Sequence, residues 1–189
     1  MFKKSYLIVG VFMALVISLT GCIGAGKISP VSPPAKEGYF PTLTGIDLFG
    51  EQRIVPDDFK GNLHLVAVAF EREHQDPVNT WIPVAKELSA QNPGLTFYEI
   101  PLIYKINAAY RTWVNNGMRS GIPSDEGRER TITVYTDREK FLDITGMKAD
   151  RIYLLLMTHE GKILWQTEGA YGESKLTSLK AALSQAVRQ

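Results

Sequence analysis

Residues 63–70 are apolar at nearly every position, and this run limits the fold of the chain more than any other feature. A strand that is apolar on both faces must be covered on both faces, which is typical of the central strands of α/β sheets. Further patterns alternate with it: strands are expected at residues 43–48, 52–55, 95–103, 131–135, 151–157 and 163–167, and helices beginning near residues 76, 105, 137 and 173. The sequence therefore predicts an α/β fold, a three-layer sandwich with a mixed central sheet and helices on both faces.

The first 22 residues carry the pattern of a secretory signal. Lys3 and Lys4 precede the uncharged run 6–19, small residues follow it, and a Leu-Thr-Gly-Cys segment ends at Cys22. The end of this pattern resembles the lipobox of bacterial lipoproteins. The resemblance implies cleavage before Cys22 and attachment of fatty acyl chains, such as palmitate, at Cys22. A chance apolar start with a buried structural cysteine is the alternative.

The lipoprotein pattern divides the chain into three parts. We expect a signal peptide at residues 1–21, a proline-rich tether at 22–41 that holds the domain off the membrane, and one folded domain at 42–189. The lipid on Cys22 makes the membrane a partner and implies a location in the cell envelope, outside the cytoplasm. Ile23 follows the cysteine, which by the sorting rule of Gram-negative lipoproteins implies the outer membrane.

Charge and cysteine content exclude several classes of function. The formal net charge of the 189 residues is +1, so the sequence shows no basic surface of the kind that binds nucleic acid. Cys22 is the single cysteine, so neither an intrachain disulfide nor a multi-cysteine metal site can form. The chain also has no phosphate-binding glycine loop and no Gly-x-Ser-x-Gly element. We therefore predict no cofactor.

The order of several segments resembles the thioredoxin-like superfamily. Residues 146–156 are similar to the stretch that leads into the fourth core strand of those proteins, and the turn at 161–163 is similar to their hairpin. The strand at 63–70 and the helix that contains Pro83 resemble their central strand and active-site helix. The resemblance covers nearly the whole of the predicted domain and implies a thioredoxin-like three-layer sandwich.

A narrower resemblance is to the mitochondrial ATP synthase assembly factor family, which is itself thioredoxin-like. It is carried by Trp81 in the active-site helix, by the strand at 97–100, and by the late blocks at 152–156 and 161–165. This similarity implies that the chain acts as an assembly factor.

The chain departs from the superfamily at the redox site. The two cysteines of active members fall here on Gln75 and Val78, and the cis-proline that faces those cysteines falls on Arg151. A thiolate is the nucleophile of disulfide exchange, and neither an amide nor an isopropyl group can replace it. The resemblance therefore implies a domain without thiol chemistry, one that binds a protein partner and serves as an assembly or folding factor in the envelope.

The candidate binding residues lie where the superfamily holds its substrates. We expect His74, Gln75, Asp76 and Arg151 to converge at the carboxyl ends of the central strands, the usual ligand site of open α/β sheets, and to form a groove for a protein partner. An ordinary surface at this edge is the alternative. Two other functions stay open: an enzyme that uses non-thiol chemistry in the acidic loop around His74, and a structural subunit of an envelope complex.

The sequence also predicts the surroundings of individual histidine and tryptophan residues. His64 and His159 lack the spacing of a metal-binding pair, so we expect both to be exposed or hydrogen-bonded and predict no metal site. Trp81, Trp113 and Trp165 are expected in the core because their neighbours are apolar. Residues 117–130 have turn composition and no periodicity, which predicts a long surface loop.

Overall fold

The structure is a computed structural model, and it describes residues 29–34, 36–104 and 108–188. The predicted signal peptide and the predicted lipidation site at Cys22 lie outside the described residues, as do tether residues 23–28. None of the helices in the described ranges combines the length and the apolar character needed to cross a membrane.

The described residues form one seven-stranded mixed sheet and five α-helices. The strands are β1 Leu43–Asp47, β2 Gln52–Val55, β3 Leu63–Ala69, β4 Leu95–Ile103, β5 Ile132–Tyr135, β6 Tyr153–Thr158 and β7 Ile163–Glu168. The helices are α1 Gln75–Gln91, α2 Ala108–Gly121, α3 Asp125–Arg130, α4 Arg138–Thr145 and α5 Glu173–Ala186. Each predicted strand is present, with its bounds shifted by no more than two residues.

The strand order is β2-β1-β5-β4-β3-β6-β7, so the apolar run predicted to be central lies inside the sheet. Strand β3 pairs in parallel with β4 and antiparallel with β6, while the β1–β2 and β6–β7 pairs are antiparallel hairpins. The parallel pairs β3–β4 and β4–β5 are connected through helices, and the two hairpins are closed by short turns.

Two apolar clusters lie on the two faces of the sheet. On one face, α1 and α5 cover β3 and β6, and Trp81, Leu88 and Leu179 are buried there. On the other face, Phe141 of α4 packs with Val66 and Val68 of β3. The alternation of β3 side chains between the clusters follows from the two-residue period of a strand, and it produces the predicted layer of helices on each face.

Residues 29–34 and 36–41 lie on the domain, although the sequence predicted a tether there. Val31 and Phe40 are buried in the cluster around Phe141. The backbone N–H of Phe40 donates a hydrogen bond of 2.8 Å to the carbonyl oxygen of Gly161. The tether prediction was based on the prolines of this segment, but burial of two large apolar side chains favours packing over a free linker.

Residues 117–130 are helical over most of their length, so the prediction of a long surface loop is wrong. Helix α2 continues through Gly117 to Gly121, and α3 begins after Ser124, whose hydroxyl accepts a hydrogen bond of 3.1 Å from the backbone N–H of Gly127. Within α3, Arg130 pairs with Glu126 one helical turn away. A side-chain cap and an i,i+4 ion pair stabilise a short helix that carries no apolar periodicity.

Candidate functional site

The carboxyl end of β3 and the start of β6 lie at the same edge of the sheet. These two strands run antiparallel, and Val68 near the end of β3 stands opposite Tyr153, the first residue of β6. The rings of Phe70 and Tyr153 lie 6.4 Å apart at this edge. The connection from β3 to α1 and the residues just before β6 therefore approach each other, and the four predicted site residues belong to these two segments.

His74 is a structural residue of this edge. It ends a short 3₁₀ turn, Arg72–His74, that precedes α1, and its side chain is buried. Its Nδ1 accepts a hydrogen bond of 3.1 Å from the backbone N–H of Phe70. A histidine that is buried and bonded in this way holds the chain where it leaves the strand and presents little surface to a partner.

The two positions predicted to correspond to the redox cysteines differ in their surroundings. Gln75 is exposed at the first residue of α1, and its Nε2 donates a hydrogen bond of 3.0 Å to Oδ1 of Asn79. Val78 is buried in the same cluster as Trp81. The described residues contain no cysteine, so this edge offers an amide and an apolar side chain where disulfide exchange needs two thiols.

Asp76 and Arg151 complete the predicted set. Asp76 is exposed in the first turn of α1, where a carboxylate interacts favourably with the positive end of the helix dipole. The sequence predicts a helix that begins near residue 76, and α1 begins one residue before Asp76. The guanidinium of Arg151 pairs with Asp150 at 2.7 Å and with Glu168 of β7 at 2.8 Å. These partners raise the pKa of Arg151, and its nearness holds the pKa of Asp150 below its usual range.

The structure therefore places the four residues at one edge without joining them into one network. His74 bonds to Phe70, and Gln75 bonds to Asn79. Arg151 donates hydrogen bonds to the carboxylates of Asp150 and Glu168 and to none of the other three residues. Gln75, Asp76 and Arg151 are available to a partner, whereas His74 is available only at a small part of its surface.

Glu99 belongs to this site and was not predicted as a site residue. It lies in β4, directly opposite Ala67 in the pairing with β3, and is partly buried. Burial raises the pKa of the Glu99 carboxyl, and a hydrogen bond from the Gln75 side chain opposes that rise. A single acidic residue inside an otherwise apolar strand pattern was the sequence signal that could have identified it.

A further ion pair borders the same edge. Glu71, which follows β3, accepts a hydrogen bond of 2.5 Å from the guanidinium of Arg138 at the start of α4. The same guanidinium lies 5.2 Å from the ring centre of Tyr104, within the range of a cation–π contact. The edge is therefore a surface of paired charges around an exposed helix start.

Two of the remaining predictions about single residues are wrong. His64 has an exposed fraction of 0%, and neither of its ring nitrogens has a hydrogen-bond partner among the described residues. Burial, together with the neighbouring His159, lowers the pKa of His64 to about 4. Trp113 is 63% exposed on α2, whereas Trp81 is buried as expected.

The side chains described at this edge do not form a cluster of metal ligands. Within the described ranges, no three residues of the histidine, cysteine, aspartate and glutamate types come together in a way that could hold a metal ion. The exposed groups at the edge are an amide, carboxylates and a guanidinium. Such groups form hydrogen bonds and ion pairs with the polar rim of a protein interface.

Comparisons with known proteins show the fold. No protein-family model matches the chain, and no curated protein matches it. It is similar to the solved structure of BsSco, a member of the Sco family of cytochrome c oxidase assembly proteins, with a TM-score of 0.57 and 14% identity over 84% of this chain and 99% of that one. It is also similar to a thiol:disulfide interchange protein from Bacteroides sp., with a TM-score of 0.51 and 18% identity over 82% of this chain and 89% of that one.

These similarities confirm the predicted fold class, and the chain has the thioredoxin-like fold. Identities this low show the fold alone. The narrower resemblance to the mitochondrial ATP synthase assembly factor family and the lipoprotein signal stay predictions.

Proposed function

We propose that this chain is a lipid-anchored, redox-inactive thioredoxin-like domain that binds a protein partner in the cell envelope. Its partner surface is the exposed edge formed by Gln75, Asp76 and Arg151, and its role is that of an assembly or folding factor. The anchor is the lipid on Cys22, which in a Gram-negative cell would hold the domain at the outer membrane.

The chemistry of the two positions predicted to correspond to the redox cysteines is the observation that carries this proposal. Gln75 is exposed at the start of α1, and Val78 is packed into the core. The described part of the chain contains no thiol. Without thiols, this position cannot exchange disulfides. Its geometry is retained: the exposed start of a helix lies beside the ends of two strands. Binding is the activity that such a surface still supports.

An assembly role is supported by one structural neighbour. BsSco has the same fold and is named as a member of a family of assembly proteins. The mitochondrial assembly factor resemblance points in the same direction. No observation favours an enzyme that uses His74, because the Nδ1 of that residue accepts a backbone hydrogen bond and its side chain is buried.

The anchor is tested by metabolic labelling. Cells expressing the full chain or its Cys22→Ser variant are grown with labelled palmitate, and membranes are separated from soluble material. We expect label and membrane association in the unaltered chain and neither in the variant. Equal labelling of both chains would exclude lipidation at Cys22.

The partner surface is tested by site-specific photocrosslinking in intact cells. A photoreactive amino acid is introduced at Gln75 in one strain and, as a matched control, at exposed Lys180 of α5 in another. We expect a discrete crosslinked product from position 75 and none from position 180. The product should weaken when Asp76→Ala and Arg151→Ala are added and persist when Gln185→Ala is added. A product from position 180 alone would place the partner on the other side of the domain.

A further inference from the structure

We propose that His64 and His159 form a binding site for one divalent transition-metal ion of the zinc type. The site lies at the amino-terminal end of β3, at the edge of the sheet opposite the proposed partner surface, and is independent of that proposal. His64 is the second residue of β3, and His159 lies in the turn between β6 and β7. The remaining coordination positions would be taken by water.

The distance between the two rings fits a shared ion. Their centroids are 5.9 Å apart, and the ring planes are tilted by 58°. A zinc–nitrogen bond is about 2.0–2.1 Å and a ring nitrogen lies roughly 1.2 Å from the ring centre, so two imidazoles on one ion have centres roughly 5–6.4 Å apart. The observed separation falls in that range, and it is too long for stacked rings in contact.

The unsatisfied nitrogens of His64 are the second observation. Both Nδ1 and Nε2 are buried and have no hydrogen-bond partner among the described residues. Leaving a buried polar group unpaired costs about 1–3 kcal/mol, and most such groups in proteins have a partner. The rings of Phe59 and Tyr98 meet His64 edge-on at 5.0 and 5.9 Å, so its neighbours on that side are aromatic. A metal ion would supply a partner for one of these two nitrogens.

The turn holds His159 in place and leaves it accessible. The backbone N–H of His159 donates a hydrogen bond of 3.1 Å to the carbonyl oxygen of Asn62, two residues before His64. The His159 side chain is exposed whereas the His64 nitrogens are buried, so an ion would enter from the His159 side. The next residue, Glu160, adds a carboxylate whose charge acts on both histidines and favours a cation there.

The ion class follows from the ligand type. Neutral imidazole nitrogen binds zinc, copper and nickel, whereas magnesium and calcium require oxygen ligands. Two histidines complete half of a tetrahedral zinc site, so we expect binding that is weaker than that of a four-ligand structural site.

The test measures zinc binding to the purified full chain at pH 7.5. Isothermal titration calorimetry should give one zinc ion per chain, and zinc at about ten times the dissociation constant should raise the Tm by roughly 3–6 °C. Magnesium at the same concentration should not raise it. Absence of any zinc-dependent change up to 1 mM would overturn the proposal.

Variants identify the ligands. His159→Ala removes an exposed side chain and should abolish the zinc shift while leaving the Tm without zinc nearly unchanged. His64→Phe removes both unpaired nitrogens and should also abolish the shift, with a Tm without zinc that is equal or higher. Lys162→Ala, an exposed change in the same hairpin, is the matched control and should retain the full shift. A zinc shift that persists in either histidine variant would show that the ion binds elsewhere and overturn the assignment.

Discussion

The backbone N–H of Phe70 donates a hydrogen bond to Nδ1 of His74, and the 3.1 Å contact joins the end of the central strand to the turn that begins α1. The two residues are four apart, and the bond closes the connection on which the whole edge depends. His74 therefore fixes the turn that leads into α1 and so positions the exposed first residue of that helix, Gln75.

Replacing His74 should destabilise the domain. His74→Ala leaves the buried N–H of Phe70 without a partner and opens a small cavity, so we expect a loss of about 2 kcal/mol in the free energy of unfolding. Urea denaturation of the full chain measures this loss. Glu73→Ala, which removes an exposed side chain from the same turn, should change the free energy of unfolding by less than about 0.5 kcal/mol. Equal effects of the two changes would contradict the structural role of His74.

The stability of the domain should depend strongly on the ion pair of the buried Asp47 carboxylate. It accepts hydrogen bonds of 2.9 Å from the N–H groups of Phe49 and Glu51 and pairs with the guanidinium of Arg53 at 2.8 Å. Arg53→Ala leaves that carboxylate without its countercharge and should cost about 3 kcal/mol in denaturant unfolding.

The matched control for this pair lies in α3. Asp125 pairs with Arg128 at 3.4 Å, but its side chain is 84% exposed. Asp125→Ala should therefore cost less than about 0.5 kcal/mol. A loss at Arg53 as small as the loss at Asp125 would show that water reaches the Asp47 carboxylate.

Glu99 should give the domain a pH-dependent stability. Its pKa is raised in the folded state by burial, so the folded chain binds its proton more tightly than the unfolded chain does. The stability that this proton provides is present below the unfolded pKa of about 4.3 and is lost as the pH rises through the folded pKa. The neutral variant Glu99→Gln should melt at a higher temperature than the unaltered chain at pH 8 and at a similar temperature at pH 4. A constant difference across this range would contradict the assignment.

The fold was predictable because its central strands are apolar runs. Strand β4 has the predicted bounds, and the two hairpins follow from short turns between predicted strands. Helix α3 was not predictable from periodicity because it has no buried residue and forms through a Ser124 cap and ion pairs. The packing of Val31 and Phe40 was missed because the burial of these two apolar side chains outweighs the linker composition around them.

The site was predictable in position and less so in detail. The edge follows from the order of strands and helices, which the apolar pattern supplies. Whether a polar residue at that edge faces solvent depends on the local backbone conformation. The short turn before α1 buries the His74 side chain, and nothing in the sequence indicated this. His64 shows the same limit, because a histidine in a strand pattern gives no signal of whether its nitrogens find partners.

The tryptophan of α1 should couple the helix to the end of the β6–β7 hairpin. Trp81 is fully buried, and its Nε1–H donates a hydrogen bond of 3.0 Å to the carbonyl oxygen of Gly169, which follows β7. Trp81→Phe retains an aromatic ring but removes this bond and part of the packing, so we expect a loss of about 2 kcal/mol. Trp113→Phe is the matched control, since Trp113 is 63% exposed, and should cost less than about 0.5 kcal/mol. Denaturant unfolding of both variants gives the comparison, and hydrogen exchange at residues 169–172 should accelerate only in the Trp81 variant. Unchanged exchange in that variant would mean that the hairpin is held without the indole.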